Sequence, residues 1–345
     1  MGYSIEDCTD DPAQLDETAV FLAAFTADGE GPSQMAEDQF PDHWKKRFRW
    51  WWDNNPYCGE ESPRGLILRD GEGKIVGFFG FIPHDYVCDG KRVPSLIFAA
   101  TYVRKESREA ALGLWMRAHR LRSQFHLLDG GPIKEVQELL AKTGYDCAEP
   151  ARLHFFPVRK PLDSPRSLAL RFSRFLIPHR REQDASLRIV SSLDDVRAIP
   201  EQTDSQVRKH TDINSIRWYL QSGSSPRHFL GWVDEDGVLQ AYIVGVVRKK
   251  KRLNVHVFTP VDACSFHPSG EALLHTLISH AASLPEGIDL PSEAEVLVLP
   301  HDRSLPGHSR FATIEARYRV FYHLPKELEG RNRECGPWEG DIFSY

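Results

Sequence analysis

The sequence predicts an α/β fold made of two successive units of one design, each a mixed, mostly antiparallel twisted sheet flanked by helices. Three features carry that prediction. The chain has 345 residues, more than one ordinary core accommodates. It also echoes itself. Phe48-Arg-Trp-Trp-Trp52 is followed by Asn55-Pro56 and by GLILRDGEGKIVGFFGF over 65–81; Ile216-Arg-Trp-Tyr-Leu220 is followed by Ser225-Pro226 and by FLGWVDEDGVLQAYIVG over 229–245. The echo returns after roughly 165 positions, too long for a solenoid repeat and about one domain. In both copies an aromatic helix end leads through a proline loop into a strand, a hairpin turn and a second strand. The turns are Asp70-Gly-Glu-Gly73 and Asp234-Glu-Asp-Gly237, and Asp/Gly pairs between apolar runs are hairpin signals.

The first unit, 1–160, reads in order. Helices are expected near 12–25 and 39–52, then a strand pair over 65–69 and 74–83. The Cys88-Asp-Gly90 turn leads to a strand over 93–103. A helix comes next over about 107–122, then a short strand over 125–129 and a Gly130-Gly-Pro132 turn. A helix over 133–143 stops at Gly144, since Gly just past a helix end is a C-terminal signal. A strand over 152–158 closes this unit. A linker, 161–186, is rich in Pro, Ser and Arg. Within it Leu168, Phe172, Phe175 and Leu176 share one helical face while Arg171 and Arg174 take the other. Such a helix either packs as a connector or lies on a membrane surface through 166–181. The second unit, 187–345, repeats the hairpin, adds a basic turn at Arg248-Lys-Lys-Lys-Arg252, a strand over 253–259, a helix over 269–284, a strand over 295–300 and a closing strand over 316–324.

Composition narrows the class. Apolar residues make up 41% and charged residues 27%, as in a soluble globular protein. A net charge of −6 argues against general nucleic-acid binding. The six Cys form no C-x-x-C and no His/Cys cluster at zinc spacing, which points to a reducing compartment, no structural metal and a cytoplasmic location. The acidic start MGYSIEDCTDD lacks the basic and apolar regions of a secretory signal. No apolar run approaches the roughly 18 residues that span a bilayer.

The stretch TYVRKESREAALGLW over 101–115 holds the clearest chemical signal. An apolar strand ends at a charged turn and opens into a helix whose first turn is small and carries a cation, Arg108. The first amides of a helix lack intrahelical partners and sit at the positive end of its dipole. Strand, basic turn and small helix start together make a seat for a phosphate or diphosphate. Arg108 has an equally ordinary alternative, a solvated helix face.

With these residues, the strand and helix order resembles the GNAT superfamily of N-acyltransferases, and more narrowly the tandem GNAT-like proteins of bacterial polysaccharide and cell-envelope loci. The resemblance covers 66–158 and extends to the second unit by architecture alone. It implies a seat for acetyl-CoA, or another acyl-CoA, over Thr101, Tyr102, Val103, Arg104, Arg108, Glu109, Ala111, Leu112 and Gly113. Arg108 takes the family's basic position, Ala111 replaces its first Gly and Gly113 keeps its last small residue. The segment from Gly130 to Tyr145 is similar to the family's Gly-x-Pro-Asn … Tyr-x-Lys-x-Gly-aromatic run, with Ile133 in the Asn position and Leu140 in the Tyr position. A methyl group at Ala111 pushes a diphosphate outward. Loss of the Tyr removes the usual proton donor, which is dispensable when a thiol of pKa about 8.5 leaves as thiolate.

Transfer of an acyl group to an amine needs a proton acceptor, close positioning and a donor to the carbonyl oxygen. The resemblance draws that donor from the strand over 100–103. Candidate bases are His84 and Asp85 after the third strand and Asp129 after the fifth, with His126 a further candidate. Each has a plain alternative: His84 as a loop residue beside Pro83, Asp129 as a turn or cap residue. The Trp50–Trp52 cluster and Tyr57 either stack on a substrate or form core and interface. Together these features imply an N-acyltransferase acting on a small amine, an amino sugar of a surface polysaccharide by resemblance. The competing readings are a non-catalytic GNAT-like scaffold and a Fem-type aminoacyl transferase, against which the acidic charge weighs.

Overall fold

The computed structural model describes residues 2–28, 36–148, 152–157, 188–203, 205–221, 226–250, 255–266, 296–300, 313–315 and 320–331. Eight strands form a first sheet: β1 (Ser4–Asp7), β2 (Gly65–Arg69), β3 (Ile75–Cys88), β4 (Lys91–Val103), β5 (His126–Asp129), β6 (Asp146–Cys147), and from the distal part of the chain β9 (Arg208–Lys209) and β15 (Phe321–His323). Their order is β1-β2-β3-β4-β5-β15-β6, with β9 beside Tyr86 and Val87 of β3. Seven form a second sheet: β7 (Arg152–Pro157), β8 (Arg188–Val190), β10 (Arg227–Val233), β11 (Leu239–Lys250), β12 (Val255–Ser265), β13 (Val296–Pro300) and β14 (Thr313–Glu315), ordered β14-β7-β13-β12-β11-β10-β8. Only β4–β5 and β12–β13 pair in parallel among the described strands.

The sequence of β3, IVGFFGFIPHDYVC, is buried along nearly its whole length. A strand without a polar face requires cover on both sides. One side is covered by α3 (Ala111–His119) and α4 (Lys134–Lys142), whose Leu114, Trp115, Ala118 and Leu140 pack on Phe79, Phe81, Phe98 and Leu127. The other meets α1 (Pro12–Ala27), α2 (Pro41–Phe48) and the second sheet in one continuous core. The start of α1 is set by Asp11, whose carboxylate accepts from the Ala13 amide at 3.1 Å, and by Pro at the first helical position. After α2 a π-helical turn, Arg49–Asp53, carries the three tryptophans into the interior. They are core, as the plainer of the two readings holds.

The sheets meet through equivalent residues of the two echoed segments. Trp50 donates its indole N–H to the Trp218 carbonyl at 3.0 Å, and Trp218, on α5 (Ile213–Leu220), donates back to the Trp50 carbonyl at 2.7 Å. Their rings stack at 5.1 Å. A contact in which residue i bonds j while j bonds i is the signature of a two-fold interface, here inside one chain.

Several expectations need correction. The strand expected to close the first unit, 152–158, is β7 and pairs with β13 and β14 of the second sheet. The strand expected to close the second unit, 316–324, is represented by β15, which inserts between β5 and β6 of the first sheet. Each of these two strands therefore joins the sheet other than the one expected. The basic run at 248–252 is not wholly a turn, because β11 continues through Lys250. The helix expected over 107–122 is three pieces: a 3-10 turn Lys105–Ala110, then α3, then a 3-10 turn Arg120–Ser123. The linker helix, its membrane contact and the helix over 269–284 lie outside the described residues.

Candidate active site

The parallel pair β4–β5 is short. Residues His126 to Asp129 pair with Ser95 to Phe98, and there β5 ends. Strand β4 continues to Val103 along β3 with a fault in its register. Phe78 pairs with Tyr102 and Gly80 with Ala99, so Ala100 and Thr101 together face the single residue Phe79. This is a β-bulge, which turns backbone groups out of the ladder. Its mark is Ala100, a non-glycine residue at φ 49°, a left-handed conformation that costs on the order of 1 kcal/mol. Gly80 opposite is obligatory, since a Cβ there would lie 2.8 Å from the Ala99 carbonyl oxygen. Beyond Phe98 the strands part, and among the described residues no β5 residue pairs with 99–103. This unpaired length of β4, over 99–103 next to the end of β5, is the candidate slot for a substrate.

The residues of the proposed cofactor seat differ in how they meet this slot. Thr101 is exposed. Tyr102 turns to the helical face, stacking on Phe25 at 4.9 Å and meeting Trp44 edge-on, and burial pushes its hydroxyl up to about 12. Val103 packs on the α3 side. Arg104 is committed inward: it bonds Asp28 at 2.6 Å and lies over the rings of Phe21 and Phe25. Arg108 and Glu109 are exposed in the 3-10 turn that precedes α3. The amide of Ala111 is bonded to the Arg108 carbonyl, so one amide expected to be open is occupied. Gly113 is exposed on the side of β1, where a Cβ would make only an ordinary contact with Ile5 at 3.6 Å, so packing does not require its smallness. Leu112 is exposed on α3 and Ile133 at the start of α4.

The candidate bases separate cleanly. Asp129 ends β5 opposite Phe98, at the mouth of the slot. Its carboxylate accepts from the Gly131 amide at 3.3 Å, and burial pushes it up to about 7 against that bond. Burial, with the Asp129 charge adding to it, raises the Tyr145 hydroxyl, which lies 3.3 Å from His119 Nδ1. His119 stacks on Trp115 at 4.6 Å and is depressed to about 4 by burial. His323, from β15, meets the Tyr145 ring at 5.5 Å. Sequence reasoning missed this supporting cluster.

His84 and Asp85 are elsewhere. They do not follow β3 but lie within it, four pairings from Gly80, about 13 Å along the strand at 3.3 Å per residue. Because β3 runs antiparallel to β4, its distal end lies away from the bulge. His84 is buried between the sheets. Nε2 bonds the Tyr219 hydroxyl at 2.7 Å and the ring lies on Tyr57 at 4.3 Å. Burial, reinforced by Lys209, holds it well below its ordinary range. Asp85 bonds Arg92 at 3.1 Å, and burial raises its carboxyl. His126 is buried on the opposite face from Asp129, edge-on to Tyr86. Leu140, in the position where the family resemblance expects a Tyr, is fully buried under α4.

Among the described residues no His, Cys, Asp or Glu group is placed to hold a metal, and no helix is long and apolar enough to cross a membrane.

No protein-family model and no curated protein matches the chain. Solved structures do. A GCN5-related N-acetyltransferase from Anabaena variabilis ATCC 29413 is 14% identical over 96% of this chain and 75% of its own, with a TM-score of 0.55. A conserved protein of unknown function from Enterococcus faecalis V583 is 11% identical over 93% and 72%, with a TM-score of 0.56. A GCN5-related N-acetyltransferase from Kribbella flavida is 15% identical over 94% and 71%, with a TM-score of 0.54. The fold is therefore the α/β GNAT fold, with mixed, mostly antiparallel sheets and flanking helices.

Proposed function

We propose that the protein is a GNAT-type N-acyltransferase that moves an acyl group from acyl-CoA to an amine by direct attack. The observation that carries this reading is the bulge at Ala100 and Thr101 beside the parting of β4 from β5. A thioester fits that slot on chemical grounds: the carbonyl needs a fixed N–H donor, and a strained bulge supplies one without reorganisation. Residues 99–103 would hold the acyl end. Arg108, with the start of α3, would hold the phosphates; Ala111 limits how closely they approach. Bound acyl-CoA supplies the activated acyl group. Asp129 supplies the base. A carboxylate near 7 is partly ionised at neutral pH and takes a proton from the attacking amine at the slot's mouth. Tyr145 lies within electrostatic reach of Asp129, and His119 and His323 pack on Tyr145. His84 and Asp85, remote from the bulge, join the sheets in this reading.

The chain is read as two tandem GNAT-like units, 1–160 and 187–345, each completed by a strand of the other. The acceptor class is a small amine, with an amino sugar of a surface polysaccharide as the first to try. One observation favours the scaffold alternative: a fully buried Leu140 stands where the resemblance expects the proton-donating tyrosine. The test is the full chain with acetyl-CoA and longer acyl-CoAs, read by melting temperature, and with a panel of amino sugars, read by thiol release. Stabilisation with amine-dependent release is expected. No stabilisation by any acyl-CoA overturns the reading; stabilisation without release leaves the scaffold.

A further inference from the structure

The bonds of His84 fit one protonation state of its ring. Nδ1 lies 2.8 Å from the Asp85 carbonyl oxygen. A carbonyl only accepts, so Nδ1 carries the hydrogen and, in the neutral ring, Nε2 is an acceptor. Nε2 therefore takes the hydroxyl hydrogen of Tyr219 at 2.7 Å. His84 stands on β3 of the first sheet; Tyr219 stands on α5, which packs on β10 and β11 of the second. The bond thus crosses between the two sheets. Its surroundings are closed: His84 is 1% exposed, with Tyr57, Tyr86 and Trp218 around the ring.

We propose that His84 is an acid-sensitive latch between the sheets: neutral, it fastens β3 to α5, and protonated, it lets them part. A charged ring carries a hydrogen on Nε2 as well, aimed at the hydroxyl that now donates to it. It also stands near a cation, because the Lys209 ammonium lies over the Tyr219 ring at 4.9 Å. Lys209 is paired with Asp262, to which the Tyr242 hydroxyl donates, so that carboxylate is already engaged. The remaining titratable and charged neighbours are His210, just after β9; Asp85, bonded to Arg92 of β4; Asp212, which caps α5; and Tyr57, whose hydroxyl donates to the His210 carbonyl. Among the described residues no carboxylate bonds the His84 ring, so a charge there gains no direct partner. Burial, reinforced by Lys209, holds His84 well below its ordinary 6.5. Below that value an open latch binds a proton that the closed one refuses, so closure weakens as pH falls through it. His210, lowered by burial, acts in the same direction.

The test is amide hydrogen exchange on the full chain at about pH 8 and about pH 5, read as protection factors so that the intrinsic pH dependence of exchange drops out. Protection over 81–88 and 213–220 is expected to fall about 10-fold more than over α3, the size of a one-unit depression. His84→Gln keeps an acceptor for Tyr219 without titrating and is expected to abolish the extra loss; His210→Gln is expected to keep most of it. The wild-type chain supplies a second readout that needs no variant: the His84 ring signal in NMR is expected to titrate below 6.5, together with the loss of protection. An equal loss over α3, an extra loss that survives in His84→Gln, or a ring that titrates at 6.5 or above overturns the proposal. No acyl-CoA enters either measurement, so the latch is decided apart from the acyltransferase reading.

Discussion

In the first sheet β4 bulges at Ala100 and Thr101 beside Gly80; in the second, β12 bulges at Val261 beside Gly245, where Val244 pairs with Asp262 and Gly245 with Pro260. The backbone device is the same, but its surroundings differ. Thr101 is exposed and Ala99 and Ala100 keep some surface. Val261 and Asp262 are each 1% exposed. Asp262 is fastened by the Lys209 ammonium and by the Tyr242 hydroxyl, which donates to it at 2.6 Å. A bulge can thus keep a slot open, or be sealed by a carboxylate and its partners and become core. On this contrast, the proposed chemistry falls to the first sheet, while the bulge of the second is part of the core.

The widest gap between the halves should appear on replacing one carboxylate in each, Asp129 and Asp262. Asp129→Asn is expected to cut turnover about 10²- to 10⁴-fold while acyl-CoA affinity holds; steady-state rates and calorimetry check it. The same variant alters stability against pH. The folded carboxyl lies near 7 and the ordinary value is 3.8, so the fold keeps a proton that the unfolded chain releases. Stability from this group is therefore lost as pH rises through that window, and the Asn variant should lack the loss in urea titrations at pH 5 and 8. Asp262→Asn should instead remove the buried carboxylate that Lys209 and Tyr242 bond, and cost roughly 3–5 kcal/mol of stability, measured by denaturant unfolding; a catalytic loss with full stability would break the contrast. Next in size, Arg108→Gln is expected to raise the acyl-CoA Kd about 10-fold, with little change in turnover at saturation. The smallest effect belongs to the two-fold seam: a double-mutant cycle on Trp50→Phe and Trp218→Phe should give a coupling of about 1 kcal/mol.

The features legible in the chain beforehand were local. The hairpins declared themselves through Asp and Gly, and Cys88-Asp-Gly90 turns with Asp89 at φ 50° and Gly90 at φ 72°, as a two-residue hairpin turn requires. Asp129 was legible as an acid at a strand end. His84 was misplaced because Pro83 looked like a stop. That proline falls between the last β2 partner, Gly80, and the first β9 partner, Tyr86, a stretch of β3 with no strand on that edge among the described residues and with the Pro83 carbonyl bonded by the Asn55 side chain; sheets tolerate proline there. The sheet placement of β7 and β15 left no sign, because pairing between distant segments has no sequence period. The same holds for His323, whose carbonyl accepts a bond from His126 across 197 positions; nothing near it marks it as a neighbour of Tyr145.

The inserted strand β15 has a consequence for synthesis. β5 gains its second neighbour only when Phe321 to His323 arrive, so for most of translation the end of β5 presents a bare edge beside the open slot. Such edges recruit other chains, and pairings this remote form late. Ribosome-bound chains halted before residue 321 are expected to be cleaved near Asp129 by a probing protease, and to become resistant once that stretch has left the exit tunnel. A chaperone that guards this edge would then set the yield of folded protein more than the strength of any single contact.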